Sequence, residues 1–362
     1  FQKVRGTSNT TKMEISLISS IPTVLHRTGP KPTEPTFNVL STHGASAASK
    51  WQCGGVSLTT LGLVVASHLR PTRDTPRRLR RRAVVKAEVL PAQPVPEGIE
   101  APPYVADPDQ VRGWWNSQIV PKTEEEVAKM REAGQLAHRA LDLAETLIVP
   151  GVTTEEMDKE LHTFMCDHGA YPSDLQYKGF PKSVMISINE VICHGIPDLR
   201  PLEDGDLVNV DVTLYLNGFH ADTARSWICG TGDATGQRLV TATREALSAA
   251  IATCASGKPL KCIGEAVAEV AEREGFGIVK TLVGHGIGEF FHGVPQIFHC
   301  RNSDNRKMQL GTTFTIEPVL TEGTNEWITW SDGWTVATKD AKRAAQFEHT
   351  VLITEQGCEV LT

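Results

Sequence analysis

Residues 209–223, NVDVTLYLNGFHADT, constrain the fold strongly, because two runs of alternating apolar and polar residues flank an Asn-Gly pair. Such a pair between alternating runs is typical of a β-hairpin with a two-residue turn, here at 217–218. In that register Thr213 lies opposite Asp222, and Asp211 lies diagonal to Asp222 on the same face. The sequence therefore predicts a rigid support that directs two carboxylates toward one point, from positions about 7–8 Å apart.

Two carboxylates at this spacing repel each other unless a proton or a cation lies between them. The hairpin alone leaves two interpretations equally open: a functional acidic pair, and two solvated strand aspartates. The other face of the hairpin is apolar and is expected to pack in the core: Val210, Val212, Leu214, Leu216, Phe219 and Ala221.

The charge is divided unevenly along the 362 residues, which carry a net charge of −7. Residues 1–86 hold 14 Lys and Arg against 3 Asp and Glu, a net charge of +11, so the other 276 residues carry −18. An acidic body argues against nucleic-acid binding, because phosphate contacts need clustered cations. The eight cysteines form no CxxC pair, which argues against a zinc ribbon or disulfide scaffold and favours a reducing compartment.

The basic region, residues 1–86, is rich in Ser, Thr, Pro and Arg and poor in acidic residues, a composition typical of an organellar transit peptide. The first residue is Phe1, and Met13 is the expected start of translation. A disordered basic tail and a nuclear localisation signal are the alternatives, but a basic leader on an acidic body favours targeting over both. The apolar run at 56–67 is too short and too rich in Ser and Thr to predict a membrane span.

Residues 87–120 contain six prolines and are expected to form an extended linker, with Trp114 and Trp115 anchoring its end to the body. The catalytic domain is expected over residues 121–362.

Within residues 121–362 the order of elements is helices, strands, helices, strands, which predicts an α+β domain. Capping boxes at 123–126 and 153–156 begin two helices, and two further helices are predicted at about 234–256 and 261–274. The two halves share this order, which hints at an internal duplication, although no residue-level repeat is visible. Strand patterns outside the hairpin lie at 183–192, 312–320, 327–338 and 345–353.

Three more ionisable residues have unusual surroundings. His285 is bracketed by glycines in VGHGIGEFFH, so another group must approach closely there. Glu317 interrupts an apolar, β-branched pattern in TTFTIEPVL, and Glu348 does so in QFEHTVLI. A buried carboxylate is costly unless it is paired or bound to a metal. Each residue alone has a structural explanation, but together with two clustered aspartates they favour a metal site.

The candidate metal ligands are Asp211, Asp222, His285, Glu317 and Glu348. Carboxylates with an imidazole suit divalent ions such as Mn, Fe(II), Co or Zn. Four negative charges can neutralise two divalent cations, and a pair of such ions can activate water for hydrolysis. The ligand set therefore favours a dinuclear hydrolytic site whose metal identity stays open.

Around these positions the sequence resembles the pita-bread metallopeptidases, and within them most closely the type I methionine aminopeptidases. The matching stretches fall within about residues 110–362 and are FPKSV, SINEVICHGIP, DGDLVNVDVT, GFHADT, GHGIG, FTIEP, DGWTVATKD and AQFEHT. The resemblance implies a pseudo-twofold antiparallel sheet with helices packed on its outer face. It also implies removal of the initiator methionine from nascent proteins when the second residue is small.

The resemblance implies roles for the matching residues. Asp222 and Glu348 would bridge two metal ions. Asp211 would complete the ligands of one ion, and His285 with Glu317 those of the other. Glu317 would also carry a proton to the leaving amine.

The remaining implied site residues contact the substrate. His194 would hydrogen-bond the substrate backbone, and His292 would polarise the scissile carbonyl. Four aromatic residues would line the methionine pocket: Tyr177, Phe180, Phe291 and Trp334. For these aromatics, ordinary core packing is the alternative.

The sequence departs from the family pattern at Met185, where a cysteine often lines the pocket, so we expect retained activity with an altered pocket shape. The region before residue 110 lacks the Cys/His zinc-binding extension of cytosolic eukaryotic forms and resembles organellar leaders. The short segment at 292–317 argues against type II enzymes.

The implied partners are the N-termini of nascent polypeptides, including those on ribosomes, with no nucleic-acid or membrane partner. A monomer is expected, in a plastid or alternatively a mitochondrion, where a formyl group must first be removed because the site needs a free amine. Hydrolysis of X-Pro peptides is the enzymatic alternative, disfavoured by the GHGIG context. A non-catalytic relative that binds RNA or ribosomes is disfavoured by the complete ligand set.

Overall fold

The computed structural model describes residues 88–111 and 118–362. The five α-helices in that part of the chain are Pro103–Ala106 (α1), Glu124–Leu147 (α2), Thr154–Asp167 (α3), Ala234–Ala252 (α4) and Lys261–Glu274 (α5). The strands of the first half are Tyr171–Pro172 (β1), Met185–Ile188 (β2), Val191–Cys193 (β3), Leu207–Leu216 (β4) and Phe219–Ile228 (β5). Those of the second half are Gly277–Ile278 (β6), Val283–Gly286 (β7), Gly293–Phe298 (β8), Thr313–Ile316 (β9), Val319–Thr321 (β10), Trp327–Thr329 (β11), Val336–Thr338 (β12), Ala344–Gln346 (β13), Glu348–Ile353 (β14) and Cys358–Val360 (β15).

The two helices with capping-box signals begin where the sequence predicts. The Thr123 amide donates to Glu126 Oε2 at 2.7 Å, and the Glu126 amide donates back to Thr123 Oγ1 at 3.3 Å, just before α2. Thr153 and Glu156 make the same reciprocal pair at the start of α3. Each box satisfies two backbone donors that a helix start leaves without partners.

The predicted hairpin is also confirmed. Strands β4 and β5 pair antiparallel with Thr213 opposite Asp222 and Asp211 opposite Ala224. The turn residues Asn217 and Gly218 have φ angles of 53° and 89°, as a two-residue type I′ turn requires.

One antiparallel sheet of nine strands organises the molecule. Its main path runs β1-β4-β5-β14-β9-β7-β8, with β2 paired to β4 and β15 to β14. Strand β14 pairs with both β5 and β9 and so joins the two halves of the chain at the centre of the sheet. The other strands form two three-stranded sheets, β13-β10-β6 and β11-β12-β3.

Each helix pair has its own core. Helices α2 and α3 bury Leu141 and Leu161 against the apolar face of the β4–β5 hairpin. Helices α4 and α5 bury Val267 in a second cluster with Phe314 of β9 and Val351 of β14. Full burial of such a side chain contributes about 1.5–3 kcal/mol. This arrangement of two helix pairs on one sheet agrees with the predicted α+β class.

Each of the four strand patterns predicted outside the hairpin is divided into two strands in the structure, and two of these breaks lie at candidate ligands. Strand β9 ends at Ile316, and β10 begins at Val319, so Glu317 lies in the break and not inside a strand as predicted. Pro318 lacks an amide hydrogen and cannot continue the hydrogen-bond ladder. A second break lies at Phe347, between the end of β13 and the start of β14, so Glu348 is the first residue of β14.

The described part of the Pro-rich segment, residues 88–111, lies against the body. The Pro94 carbonyl is 3.2 Å from His162 Nε2 of α3, and Val95 and Ile99 pack against Tyr171. The predicted leader and the two tryptophans at 114–115 lie outside the described residues. Among the helices that are described, none combines the length and apolarity needed to cross a membrane.

Candidate metal centre

The hairpin holds its two aspartates at one point. Asp222 is 4% exposed, and Thr213 Oγ1 donates to its Oδ1 at 2.7 Å. Thr350 of β14 fixes the Asp222 backbone, because its hydroxyl donates to the Asp222 carbonyl at 2.8 Å. The Asp211 and Asp222 carboxyl groups lie within hydrogen-bonding distance of each other, which is the convergence that the strand register predicts.

The glycine bracket places His285 beside these carboxylates. A Cβ at Gly284 would lie 2.3 Å from the Thr315 carbonyl oxygen, and one at Gly286 would lie 1.9 Å from the Val294 carbonyl oxygen. The group that approaches closely is therefore the backbone of neighbouring strands. His285 Nε2 lies 3.4 Å from Asp222 Oδ2.

The two glutamates complete the cluster from the strand breaks. Thr315 Oγ1 donates to Glu317 Oε1 at 2.9 Å, and Gln346 Nε2 donates to Glu317 Oε2 at 3.5 Å. Glu317 Oε1 is 3.7 Å from His285 Nε2. Glu348 is 2% exposed, and its Oε1 has no hydrogen-bond partner among the described residues.

Burial and mutual repulsion make this cluster unfavourable when all its carboxyl groups are charged. Burial, followed by the charge of Asp222, raises the pKa values of Asp211 and Glu348 well above their usual range. Burial raises the pKa of Glu317 to about 7, although the His285 imidazole lowers it in part. For His285, burial lowers the pKa, but the hydrogen bond to Asp222 and the charges of Glu317 and Asp222 together outweigh burial and leave a raised pKa.

The donor set fits a divalent cation. Ligand atoms of Asp222, His285 and Glu348 all lie within 4.8 Å of one another. His285 Nδ1 is 3.3 Å from the Gly286 carbonyl, so that nitrogen can carry the proton and leave Nε2 as a ligand. A cation would also supply the partner that buried Glu348 Oε1 lacks within the described chain.

The two other predicted histidines lie beside aromatic rings. The His292 ring is 4.2 Å from the His285 ring and 5.1 Å from that of Tyr177. His194 has a φ of 57°, and its ring lies 6.1 Å from that of Trp334. Burial lowers the pKa of both histidines, so each is a neutral imidazole at pH 7.

The predicted pocket aromatics form two groups. Tyr177 and Phe291 have ring centroids 4.7 Å apart, and Phe180 and Trp334 have centroids 5.2 Å apart in an edge-to-face arrangement. Met185 pairs with Asp211 across β2 and β4, which places it next to a candidate ligand.

Two residues near the site carry no signal that the sequence reasoning used. Tyr104, in α1 of the Pro-rich segment, lies 5.1 Å from the Tyr177 ring and donates its hydroxyl to the Ser173 carbonyl. Asp174 is 1% exposed in a stretch that reads as a loop. An aspartate in such a stretch looks like a solvated side chain, and only the tertiary contacts reveal that it is buried.

Comparisons with known proteins agree with this site. Residues 128–355 match the model of metallopeptidase family M24. The chain is 48% identical over 283 residues to methionine aminopeptidase 1D, chloroplastic/mitochondrial, of Arabidopsis thaliana, covering 78% of this chain and 80% of that protein. It is 47% identical over 307 residues to methionine aminopeptidase 1B, chloroplastic, of the same plant, covering 83% and 82%.

A solved structure shows the same architecture. The crystal structure of methionine aminopeptidase from Rickettsia prowazekii superposes with a TM-score of 0.66 at 41% identity, covering 68% of this chain and all of the other. The sheet, the helix pairs and the extent of the match confirm the pita-bread fold that the sequence resemblance implies. The chain therefore belongs to metallopeptidase family M24, within the type I methionine aminopeptidases.

Proposed function

We infer that this enzyme removes the initiator methionine from nascent polypeptides by metal-dependent hydrolysis, with two divalent ions held by residues of both halves of the chain. The observation that carries the inference is the convergence of Asp222, His285 and Glu348 from three strands onto one buried point. Asp211 and Glu317 lie beside that point, so five side chains of ligand type surround it.

The charges support two ions over one. Four carboxylates carry four negative charges, which two divalent cations neutralise. Asp222 and Glu348 would contact both ions, Asp211 one of them, and His285 with Glu317 the other. When bound, the ions lower the pKa of water and stabilise charge on the scissile carbonyl. Mn, Fe(II), Co and Zn all suit this donor set.

The protein's own groups supply proton transfer and orientation. Glu317, whose Oε1 lies 3.7 Å from His285 Nε2, would accept a proton and deliver it to the leaving amine. His292 and His194 are neutral, so each can donate one N–H hydrogen bond, to the scissile carbonyl and to the substrate backbone respectively. Tyr177, Phe180, Phe291 and Trp334 would enclose the methionine side chain.

We place the enzyme in an organelle, with the plastid preferred and the mitochondrion as the alternative. The support is the basic composition of residues 1–86 and the names of its relatives, which are described as chloroplastic or mitochondrial. Fusing residues 13–90 to a fluorescent reporter should direct it to plastids. A mitochondrial signal would correct the choice of organelle, and a diffuse cytosolic signal would contradict the targeting proposal.

The activity is tested with the full chain, stripped of metal and reloaded with Mn²⁺ or Co²⁺. Methionine release from Met-Gly-Met should be rapid, and release from Met-Leu-Met should be slow because its second residue is large. A proline-containing control such as Ala-Pro-Met should not be cleaved. Absence of methionine release from the loaded protein, or preferred cleavage of the proline peptide, would contradict the proposal.

A further inference from the structure

Asp174 carries a buried carboxyl group that is neither a candidate metal ligand nor part of the proposed proton transfer. It is 1% exposed, and its Oδ2 has no hydrogen-bond partner among the described residues. Leaving a buried polar atom without a partner costs about 1–3 kcal/mol. A buried atom of this kind calls for an explanation, and a ligand that pairs with it is one such explanation.

The position of Asp174 lies between the metal ligands and the pocket aromatics. The backbone amide of Thr213 helps to stabilise the Asp174 carboxylate, and the hydroxyl of the same Thr213 holds Asp222. On the other side, the Tyr177 amide donates to the Asp174 carbonyl at 3.0 Å, so the two residues belong to one tight turn.

The neighbouring tyrosines define what surrounds the carboxyl group. The rings of Tyr104 and Tyr177 pack edge to face, and the Tyr177 ring is tilted against that of Phe291, in one buried cluster. Asp174 is close enough to raise the pKa of both phenols, after the larger effect of burial. The Tyr177 hydroxyl is also buried without a hydrogen-bond partner among the described residues. Two polar atoms therefore lack partners beside an aromatic cluster that adjoins the metal centre.

We propose that Asp174 is a specificity-determining residue of the side-chain pocket, where its carboxyl group, with the Tyr177 hydroxyl, hydrogen-bonds a polar atom near the end of the first residue's side chain. The proposal rests on the proposed function, since it concerns the pocket for the residue that is removed. The buried carboxyl group of Asp174 would then have a hydrogen-bond partner only when a suitable substrate is bound.

The chemistry of the carboxyl group determines which side chains it favours. The Tyr177 hydroxyl both donates and accepts, and burial, followed by the charge of Asp222, raises the pKa of Asp174 well above its usual value, which favours the neutral carboxyl group. A methionine thioether is a weak acceptor, and the sulfoxide oxygen of oxidised methionine is a strong one. Norleucine has the same length and no acceptor, and it would leave the carboxyl group unpaired.

The test compares three peptides, X-Gly-Met, in which X is methionine, methionine sulfoxide or norleucine. The metal-loaded full chain should have a kcat/KM at least about tenfold higher for methionine sulfoxide than for norleucine, with methionine between them. In Asp174→Leu, which replaces the carboxyl group by an apolar group of similar shape, the sulfoxide preference should disappear. Asp174→Asn, which keeps donor and acceptor atoms, should retain it to within about threefold.

The controls separate a role in specificity from one in folding. Asp167→Ala removes an exposed carboxylate at the end of α3 and should leave all three rates unchanged. Equal rates of wild-type enzyme on norleucine and sulfoxide peptides would overturn the proposal without any variant, as would an unchanged ratio in Asp174→Leu. Failure to cleave Met-Gly-Met at all would instead contradict the proposed function, so the two failures are distinguishable.

Discussion

The two halves of the molecule contribute residues to the candidate metal centre in different ways. The hairpin in the first half carries Asp211 and Asp222 on two uninterrupted ten-residue strands, and strand alternation alone places them together. The second half presents Glu317 and Glu348 next to breaks in its strands. A regular support can thus be deduced from a pattern, whereas a ligand at an irregularity depends on contacts that no local pattern encodes.

In both halves a threonine hydroxyl positions a candidate ligand. Thr213 in β4 holds Asp222 through its hydroxyl, and Thr315 in β9 holds Glu317 in the same way. The Thr315 hydroxyl also accepts a hydrogen bond from the His285 backbone amide at 2.9 Å. In the second half, one threonine therefore positions two candidate ligands, His285 and Glu317.

Removal of a ligand charge from either half should have the largest effect. Asp222→Asn and Glu348→Gln each keep the shape of the side chain but remove a charge that would contact both ions. We expect kcat/KM for Met-Gly-Met to fall on the order of 10³-fold in each variant. Asp167→Asn on the exposed end of α3 is the control. Full activity in either ligand variant would refute the assignment of two shared ligands.

Removal of the metal should expose the repulsion within the cluster as a pH-dependent loss of stability. The pKa of Glu317 is about 7 in the folded chain, against an ordinary 4.5, so the metal-free folded state binds more protons than the unfolded state between those values. Its free energy of unfolding should therefore fall as pH rises through that window, by about 2–3 kcal/mol.

Bound cations hold the carboxylates in their charged form and should remove that loss. The difference in Tm between metal-loaded and metal-free protein should consequently grow between pH 5 and pH 7.5. A difference that is constant or shrinks over this range would show that the carboxyl groups do not share one cation site.

Substitution of Thr213 and Thr315 compares how much activity depends on the ligand-positioning hydroxyl in each half. Thr213→Val and Thr315→Val each remove the hydroxyl that positions a ligand, and we expect activity losses of about 10–100-fold. The loss should be greater for Thr315→Val because two groups depend on that hydroxyl. Thr243→Val, at a buried threonine within α4, controls for the general cost of losing a hydroxyl. Equal losses in all three variants would assign the effect to packing.

The smallest effects are expected from glycine substitutions measured by chemical denaturation. Gly218→Ala places a side chain at a φ of 89° with nothing within 4 Å of the new Cβ, so the cost is backbone strain of about 1–2 kcal/mol. Gly286→Ala should cost more, because its Cβ would collide with the Val294 carbonyl. The reverse order would mean that the hairpin turn is the more constrained of the two.

The sequence predicts the hairpin register because Asn217-Gly218 and the alternating runs are local signals that agree with each other. It also indicates His285, Glu317 and Glu348, since each residue conflicts with its apolar or glycine-rich surroundings. The strand break at Glu317 could have been inferred from Pro318, which cannot donate within a ladder.

Asp174 and Tyr104 could not have been found in this way. Tyr104 is 73 residues before Tyr177, and its position depends on how the Pro-rich segment folds back onto the body. Asp174 sits in a loop, where a carboxylate is ordinarily solvated. Its burial arises from tertiary packing, which local sequence patterns do not reveal.

The most direct test of the central claim is the number of metal ions bound per chain. The metal-free protein would be titrated with Mn²⁺ by calorimetry, and the loaded protein would be analysed for metal after removal of excess ion. Two ions per chain are expected, with weaker binding and fewer ions retained in Glu348→Gln. A single ion in the wild-type protein, or unchanged binding in Glu348→Gln, would contradict a dinuclear centre shared between the two halves.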